Sequence, residues 1–362
     1  MKKYIIDIIN LKYNERGLVD ASTKPTTDFD KIAYRLGYEH KVVYSRESPV
    51  KVTLFVPLRK LLNGLYYYKE YLRMLSDSLS IFKIKESIVL LQYPFQHNIM
   101  EQVIIPRLRK NNNKIVVLFH DLNELRWNEK QEAKDPILRY TDFAIFHTPE
   151  MEKKTAAVYG VTPPSVCLEF FDYLNTFTRE ANVDKDDIKV LYAGNLIKSE
   201  FLKDIHRVQV HDDMQFLIYG KPENAAPEGT NIVYKGSFNS EEISAVEGNW
   251  GLVWDGTSIE TCAGPLGEYL RINAPFKFSM SLALGIPVVV WSQSALAQYV
   301  KKYHLGICVD KLDDIYGSIK GLSPEEIDLI TKGVKTYSYK VRNGQMLENS
   351  LQAAEEYLNL KV

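Results

Sequence analysis

Asn273-Ala274-Pro275-Phe276-Lys277-Phe278-Ser279-Met280-Ser281-Leu282-Ala283-Leu284-Gly285-Ile286-Pro287-Val288-Val289-Val290 decides the fold class. A helix that starts near Pro275 ends at Gly285, where the left-handed cap position favours glycine. Pro287 blocks its continuation, and a continuously apolar strand follows, as in a sheet buried on both faces. The same helix-to-strand unit recurs outward in both directions. Strands are predicted over residues 4–9, 52–56, 87–91, 114–119, 142–146, 189–192, 215–219, 231–234, 251–254, 287–291 and 306–309. Helices are predicted over 28–36, 97–110, 150–158, 239–246, 276–284 and 294–303. This order argues for an α/β chain with parallel sheets. Asn239 and Glu242 have the capping-box spacing, and Ser323-Pro324-Glu325-Glu326 opens a further helix.

The chain has 362 residues, more than one core usually serves, so two domains are expected. The polar stretch Arg179–Asp187 marks the boundary. The expected domains are 1–180 and 181–337, with a helical segment 338–362 that returns across the junction. Net charge is -1, from 45 basic and 46 acidic residues. No basic field points to nucleic acid. Cys167, Cys262 and Cys308 lie too far apart for a disulfide framework or a zinc pattern. No run of about 18 apolar residues is long enough to cross a membrane. Asp7 interrupts the first apolar run, so the start reads as a strand and not as a signal peptide. A cytoplasmic location is the expectation.

Two α/β domains in series suit a dehydrogenase, a hinged binding protein or a twin-Rossmann glycosyltransferase. No G-x-G-x-x-G follows a strand, which argues against the first. Tyr192-Ala193-Gly194-Asn195-Leu196-Ile197-Lys198 ends a strand in a small-residue turn before an expected helix start. Gly194 and Asn195 would let backbone N–H groups approach a diphosphate, and Lys198 would neutralise it. An ordinary βα turn with a surface lysine reads equally well. Tyr219 ends the next strand, where it either reaches a ligand or packs. Trp254-Asp255-Gly256 ends another, and a long polar loop with Glu260, Glu268, Tyr269 and Arg271 follows it. Lys277 stands in the first turn of the 276–284 helix, where the macrodipole disfavours a cation, so an anion nearby is expected, a phosphate being the natural one, with a plain surface lysine as the other reading. In the first half, residues 114–119 run into His120-Asp121, a pair that can act as base and orienter or as structural groups. Residues 51–85 interleave Arg59, Lys60 and Lys69 with leucines and tyrosines. That suits an interfacial helix on anionic lipid, a packed helix or an oligomer contact.

Together, His120-Asp121-Leu122-Asn123-Glu124-Leu125-Arg126, Tyr192-Ala193-Gly194-Asn195-Leu196 and the run from Gly251 to Trp291 resemble the bacterial β-1,6-galactofuranosyltransferases of O-antigen and capsule synthesis. Trp254-Asp255-Gly256-x-Ser258-x-Glu260-Thr261-Cys262 and Gly267-x-Tyr269-Leu270 carry most of the likeness. The chain is more distantly similar to the streptococcal glucosyltransferases that extend adhesin glycans. Residues 45–85 match poorly.

The resemblance implies the GT-B fold, two Rossmann-like domains facing each other across a cleft. It implies a UDP-sugar on the second domain. The UDP-binding candidates are Gly194, Asn195, Lys198, Tyr219, Phe276, Lys277 and Ser279. The sugar or acceptor candidates are His120, Glu124, Trp254 and Tyr269, and the acid–base candidates are Asp121, Asp255 and Glu260. The implied acceptor is a lipid-linked oligosaccharide or a glycan, with inner-membrane contact and a homo-oligomer as further expectations. No Asp-x-Asp ends a strand, so no metal and no cofactor are expected. Ile272 and Met280 stand where many retaining enzymes of this fold have a Glu-x7-Glu pair, so inversion is expected.

Overall fold

The structure, a computed structural model, describes residues 1–10, 23–46, 56–95, 97–122, 125–126, 136–209 and 211–360. The first sheet comprises β1 (Lys3–Asn10), β2 (Glu39–Ser45), β3 (Ile88–Tyr93), β4 (Lys114–Phe119), β5 (Phe143–Phe146) and β6 (Ser165–Cys167). All its pairings are parallel, in the order β2-β1-β3-β4-β5-β6. The second sheet comprises β7 (Ile188–Asn195), β8 (Met214–Lys221), β9 (Ile232–Tyr234), β10 (Trp250–Val253), β11 (Val288–Trp291) and β12 (Gly306–Val309). It is also parallel, ordered β12-β11-β10-β7-β8-β9. Counted from β7, that is the doubly wound dinucleotide-fold order, which reverses between β7 and β10. The first sheet reverses between β1 and β3. Such reversal points open a crevice at the carboxyl ends of the strands, so each domain has one place built to receive a ligand.

Each sheet is buried on both faces, as its apolar runs require. In the first sheet Ile5, Leu90, Val116 and Ile145 fill one face, and Ile6, Val89, Leu91 and Val117 fill the other. The helices of the first domain are α1 (Lys24–Arg35), α2 (Val56–Asp77), α3 (Ile105–Lys110), α4 (Pro136–Tyr140) and α5 (Pro149–Tyr159). Those of the second are α6 (Gly264–Tyr269), α7 (Phe276–Ala283), α8 (Ala297–Tyr303), α9 (Asp314–Lys320) and α10 (Pro324–Asn343). Ser323 and Glu326 complete the capping box of α10. A last helix, α11 (Gln345–Asn359), returns to the first domain and packs on β5, β6 and α1. Gly285 has φ +73°, and a Cβ there would lie 2.9 Å from the Arg179 carbonyl oxygen, so both the turn and the linker demand glycine.

Several expected elements take another form. β2 and β6 are strands that the sequence pattern does not predict. Of the expected strand 52–56, only Val56 lies within the described residues, and it begins α2. The expected helix 97–110 is a π-turn over Met100–Ile104 followed by α3, because Pro106 has no N–H to give an α-helical ladder. The expected helix 239–246 is a single 3-10 turn, Ile243–Ala245. Its capping box is absent. Asn239 Oδ1 accepts instead from the Glu241 N–H, and the segment is held by contacts across the domain junction. The expected helix start after Gly194 is a turn that leads to a 3-10 turn at Glu200–Lys203.

Those junction contacts converge on Lys24, which has no exposed surface. Its Nζ donates to Asp28 Oδ1 at 3.0 Å, the Leu174 carbonyl at 2.9 Å and Glu241 Oε2 at 3.0 Å. It also lies 4.7 Å from the centre of the Tyr173 ring. Tyr173 OH in turn donates to the Ser240 carbonyl at 2.7 Å. One ammonium therefore joins α1, the interdomain segment and the loop after β9. Lys24→Ala is predicted to cost about 3 kcal/mol, because it leaves the buried Asp28 carboxyl with only the half-exposed Lys31, 3.9 Å away, as a cation. Lys31, half-exposed and 3.1 Å from Glu241 Oε1, should cost less than about 1 kcal/mol when changed to Ala. Urea denaturation of both variants measures the difference, and equal losses would contradict the assignment.

Candidate active site

In the second domain the reversal point between β7 and β10 is occupied by Lys277. Helix α7 delivers it from the first turn. Its Nζ lies 2.8 Å from Asp255 Oδ1, 3.0 Å from the Trp254 carbonyl and 3.3 Å from Tyr192 OH. The Tyr192 ring lies 4.6 Å away, within cation–π range. Burial works against the ammonium charge. The Asp255 carboxylate outweighs it and holds the lysine pKa above its ordinary value. The anion beside Lys277 in this structure is the Asp255 carboxylate. A phosphate arriving here would compete with that carboxylate for the same cation. No side chain caps α7, so its first free N–H groups add positive potential at the same point.

Glycine and indole shape the loop around this pair. Trp254 is fully buried, and its Nε1 donates to the Ser258 carbonyl at 2.9 Å. It is a loop anchor and not the sugar-facing surface that its candidate role requires. Gly256 has φ +103°, and a Cβ would lie 2.1 Å from the Ala263 carbonyl oxygen. Only glycine fits the return of this loop on itself. Glu260 is exposed at the loop surface.

Across β7, the Asn195 Oδ1 accepts from the N–H groups of Ile197 and Lys198, both at 3.1 Å. Its oxygen closes the turn and does not face a diphosphate. Gly194 pairs in register with Gly220. Lys198 is exposed, and its charge acts on Asp121 of the first domain. The two domains' loops thus approach each other here.

Three further candidates lie away from this point. Tyr219 is buried on the sheet face opposite Tyr192, and its hydroxyl accepts from the Glu247 N–H at 3.0 Å. Strand alternation puts it in the core and off the uridine role. Phe276 stacks on Tyr173 at 4.8 Å, part of the domain junction. Ser279 has no exposed surface, and its Oγ has no hydrogen-bond partner among the described residues.

A second constellation forms where the loop after β4 meets α6. Tyr269 is buried against the first domain's core. Its hydroxyl accepts from the Leu122 N–H at 3.0 Å and hydrogen-bonds the Asp121 side chain. Arg126 Nη1 lies 3.1 Å from Asp121 Oδ2. Burial raises the Asp121 pKa, while Arg126, Tyr269 and Lys198 oppose it. Glu124, an acceptor-binding candidate, lies outside the described residues.

His120 belongs to a third group, at the reversal point of the first sheet. The Gln92 amide nitrogen has Asp30 Oδ1 at 2.7 Å, with Thr26 O and Asp7 Oδ1 both at 3.4 Å. Three oxygens fix which end of that amide is nitrogen, so Gln92 Oε1 faces His120 Nε2 at 2.7 Å. His120 must then carry its hydrogen on Nε2. The ring is stacked on Phe171 at 5.3 Å, and burial lowers its pKa to about 4. His147, beside it, is pushed to about 3 by burial and by His120. Both imidazoles are neutral near pH 7. Asp7 Oδ2 lies 2.8 Å from His40 Nε2, and Asp7, Asp30 and His40 place ligand-type atoms within 4.8 Å of one another. That group could hold a cation. Burial and then Asp7 push the Asp30 pKa up to about 9.

Sequence reasoning missed Tyr192, Gln92, Asp30 and the Lys24 cluster. Tyr192 reads as a core strand residue, and only the register of β7 beside β10 brings it to Lys277. Gln92 and Asp30 carry no motif.

Two doubly wound parallel domains with facing reversal points are the architecture of the GT-B fold. The N-terminal and C-terminal domain models of the glucosyltransferase 3-like family match residues 2–170 and 190–354. The chain belongs to this family. It is similar to the beta-1,6-galactofuranosyltransferase WbbI of Escherichia coli (strain K12), 30% identical over 246 residues, covering 66% of this chain and 70% of the relative. It is also similar to glucosyltransferase 3 of Streptococcus gordonii, 23% identical over 250 residues, 67% of this chain and 71% of that one. Among solved structures, the apo lipopolysaccharide outer core galactosyltransferase WaaB superposes with a TM-score of 0.54 at 13% identity, over 97% of this chain and 99% of that one.

The Asp30 proton sets a pH dependence. The folded protein keeps this proton up to about pH 9, whereas the unfolded chain releases it near an ordinary aspartate pKa of about 4. Stability is therefore lost as pH rises from about 4 towards 9. Asp30→Asn should match wild type near pH 4 and melt above it at pH 8. Parallel melting curves across that range would contradict a protonated Asp30.

Proposed function

We propose that this glycosyltransferase moves galactofuranose from UDP-galactofuranose to a sugar hydroxyl, forming a β-1,6 linkage with inversion and without a metal ion. The likeness to the galactofuranosyltransferase, at 30% identity, is the observation that carries the donor and the linkage. The proposed acceptor is a lipid-linked oligosaccharide in surface-polysaccharide synthesis. In this reading the UDP-sugar binds at the second domain's reversal point. Lys277 and the N-terminus of α7 meet the diphosphate, with Lys198 on the adjoining loop. Lys277 then leaves Asp255 for phosphate oxygens, so charge lost by the donor bond is received by a cation already in place. No Asp-x-Asp ends a strand to hold a divalent ion, and Ile272 and Met280 stand where a retaining Glu-x7-Glu pair would be.

Inversion needs one base on the acceptor hydroxyl. Asp121 is the proposed base. Burial raises its pKa, and Tyr269 orients it from the donor-side domain. Asp255 is engaged by Lys277 and Glu260 is exposed on the loop, so both are weaker candidates. His120, held neutral with a pKa of about 4, is a hydrogen-bonding group for the acceptor and a poor base.

The second reading is a UDP-glucose-dependent transferase acting on a GlcNAc-modified glycoprotein, favoured by the family models and by the 23% identical glucosyltransferase. A third, of another class, is a UDP-sugar-binding subunit without turnover. UDP-galactofuranose, UDP-galactopyranose and UDP-glucose, each offered with galactoside, glucoside and GlcNAc acceptors, separate them. Product from UDP-galactofuranose alone is expected, with Asp121→Asn reducing turnover by about a hundredfold or more. Product from UDP-glucose on GlcNAc selects the second reading, and UDP binding without any product selects the third. Near-wild-type turnover in Asp121→Asn removes Asp121 as the base.

A further inference from the structure

The exposed side of α2 is apolar where a surface helix is ordinarily polar. Leu58, Leu61, Leu62, Leu65, Tyr68 and Leu72 recur at helical spacing, and Leu61, Leu65 and Tyr68 are 61%, 60% and 64% exposed. The side turned to the protein carries Glu70 and Met74, the buried residues of the helix. Glu70 is ion-paired to Arg73. Arg73 also donates to the Tyr44 carbonyl, and the Arg46 backbone N–H to Glu70. These contacts fix residues 70–73 level with the carboxyl end of β2. The helix runs back from there towards the start of β3. Residues 56–69 therefore overhang the sheet on its ligand-receiving side, by roughly 20 Å at 1.5 Å per residue. None of those residues is buried.

Charge identifies the occupant of this face. Val56–Lys69 contains Arg59, Lys60 and Lys69 and no carboxylate. Lys60 and Lys69 are exposed, and no ion pair engages them among the described residues. Lys69 stands beside the leucine stripe, seven residues after Leu62. A second copy laid on this stripe would leave the ammonium of Lys69 against leucines. On an anionic bilayer the leucines enter the acyl boundary, and the lysines extend to the headgroups.

We propose that α2 docks the protein on an anionic lipid surface through the apolar stripe of its overhanging half. The helix then works as an anchor laid in the bilayer surface. It adds a lipid-facing surface to the side of the first domain where an acceptor is received. The proposal rests on α2 alone and is independent of which sugar nucleotide the second domain takes.

Flotation with phosphatidylcholine vesicles, with and without phosphatidylglycerol, tests it. The full chain should float with the anionic vesicles and bind the neutral ones about tenfold less, the gap closing at high salt. Leu61→Ser/Leu65→Ser should lose binding to both by about tenfold or more. Lys60→Gln/Lys69→Gln should lose the preference for anionic lipid while still binding through its leucines. Unchanged melting temperatures in both variants show that the fold is kept, without reference to any activity. Absence of vesicle binding, or binding that neither variant alters, would overturn the proposal. So would a dimer in light scattering that Leu61→Ser/Leu65→Ser dissociates while vesicles remain unbound.

Discussion

A single buried ammonium, that of Lys24, sets how the two sheets face each other. A charge with no exposed surface is tolerated only where its hydrogen bonds are met, and here each acceptor comes from a different part of the chain. Asp28 lies on α1, Leu174 in the interdomain segment and Glu241 in the second domain. Asp28 Oδ2 also accepts the Leu174 N–H at 2.9 Å, so the segment is held twice. Burial raises the Asp28 pKa to about 6 although Lys24 opposes it. Asp172 adds a related contact nearby, its carboxylate accepting from the Met346 and Leu347 N–H groups at the start of α11. An apolar core passes through the same region by way of Phe170, Phe171 and Phe278. The two reversal points are brought opposite each other by these polar and apolar ties together.

The two points are then built differently. At the first domain's point burial disfavours charge on three side chains. Asp30 holds a proton, and His120 and His147 are neutral through burial. Gln92 ties the two halves of that cluster and leaves His120 with its hydrogen on Nε2. This suits recognition of hydroxyl groups, which need donors and acceptors and not fixed charge. The second domain's point holds a full cation, Lys277, against Asp255 and the end of a helix. That suits an anion, whose charge repays the loss of the carboxylate partner. Tyr269 and Asp121 join the two points directly.

Much of the fold was legible in the sequence because parallel strands buried on both faces leave uninterrupted apolar runs. Val288–Trp291 and Lys114–Phe119 are such runs. β2 was missed because it is an edge strand with only Val43 and Ser45 buried, so its pattern has little apolar signal. The expected helix at 239–246 failed for the opposite reason. Its local capping signal was sound, but contacts from Lys24 and Tyr173 across the junction took the backbone elsewhere. The site was legible in part. The helix-terminal position of Lys277 demands an anion from local electrostatics alone, but Asp255 was a candidate for acid–base work and not for the partner of that lysine. Tyr219 and Trp254 read as ligand groups because aromatic residues at strand ends are ambiguous, and Phe276 read as one at a helix start. Only the side of the sheet on which each lies, and its hydrogen-bond partner, separates packing from binding.

The central claim is that Lys277 and the N-terminus of α7 form an anion site for a uridine diphosphate, unlocked from Asp255 when the ligand arrives. Calorimetric titration of UDP into wild type and Lys277→Met, each with EDTA present, tests it most directly. The account predicts that wild type binds UDP in EDTA and that the variant loses tenfold or more in affinity, as expected when a cation leaves an anion site. Equal binding by both proteins, or wild-type binding that appears only when magnesium replaces EDTA, would contradict it.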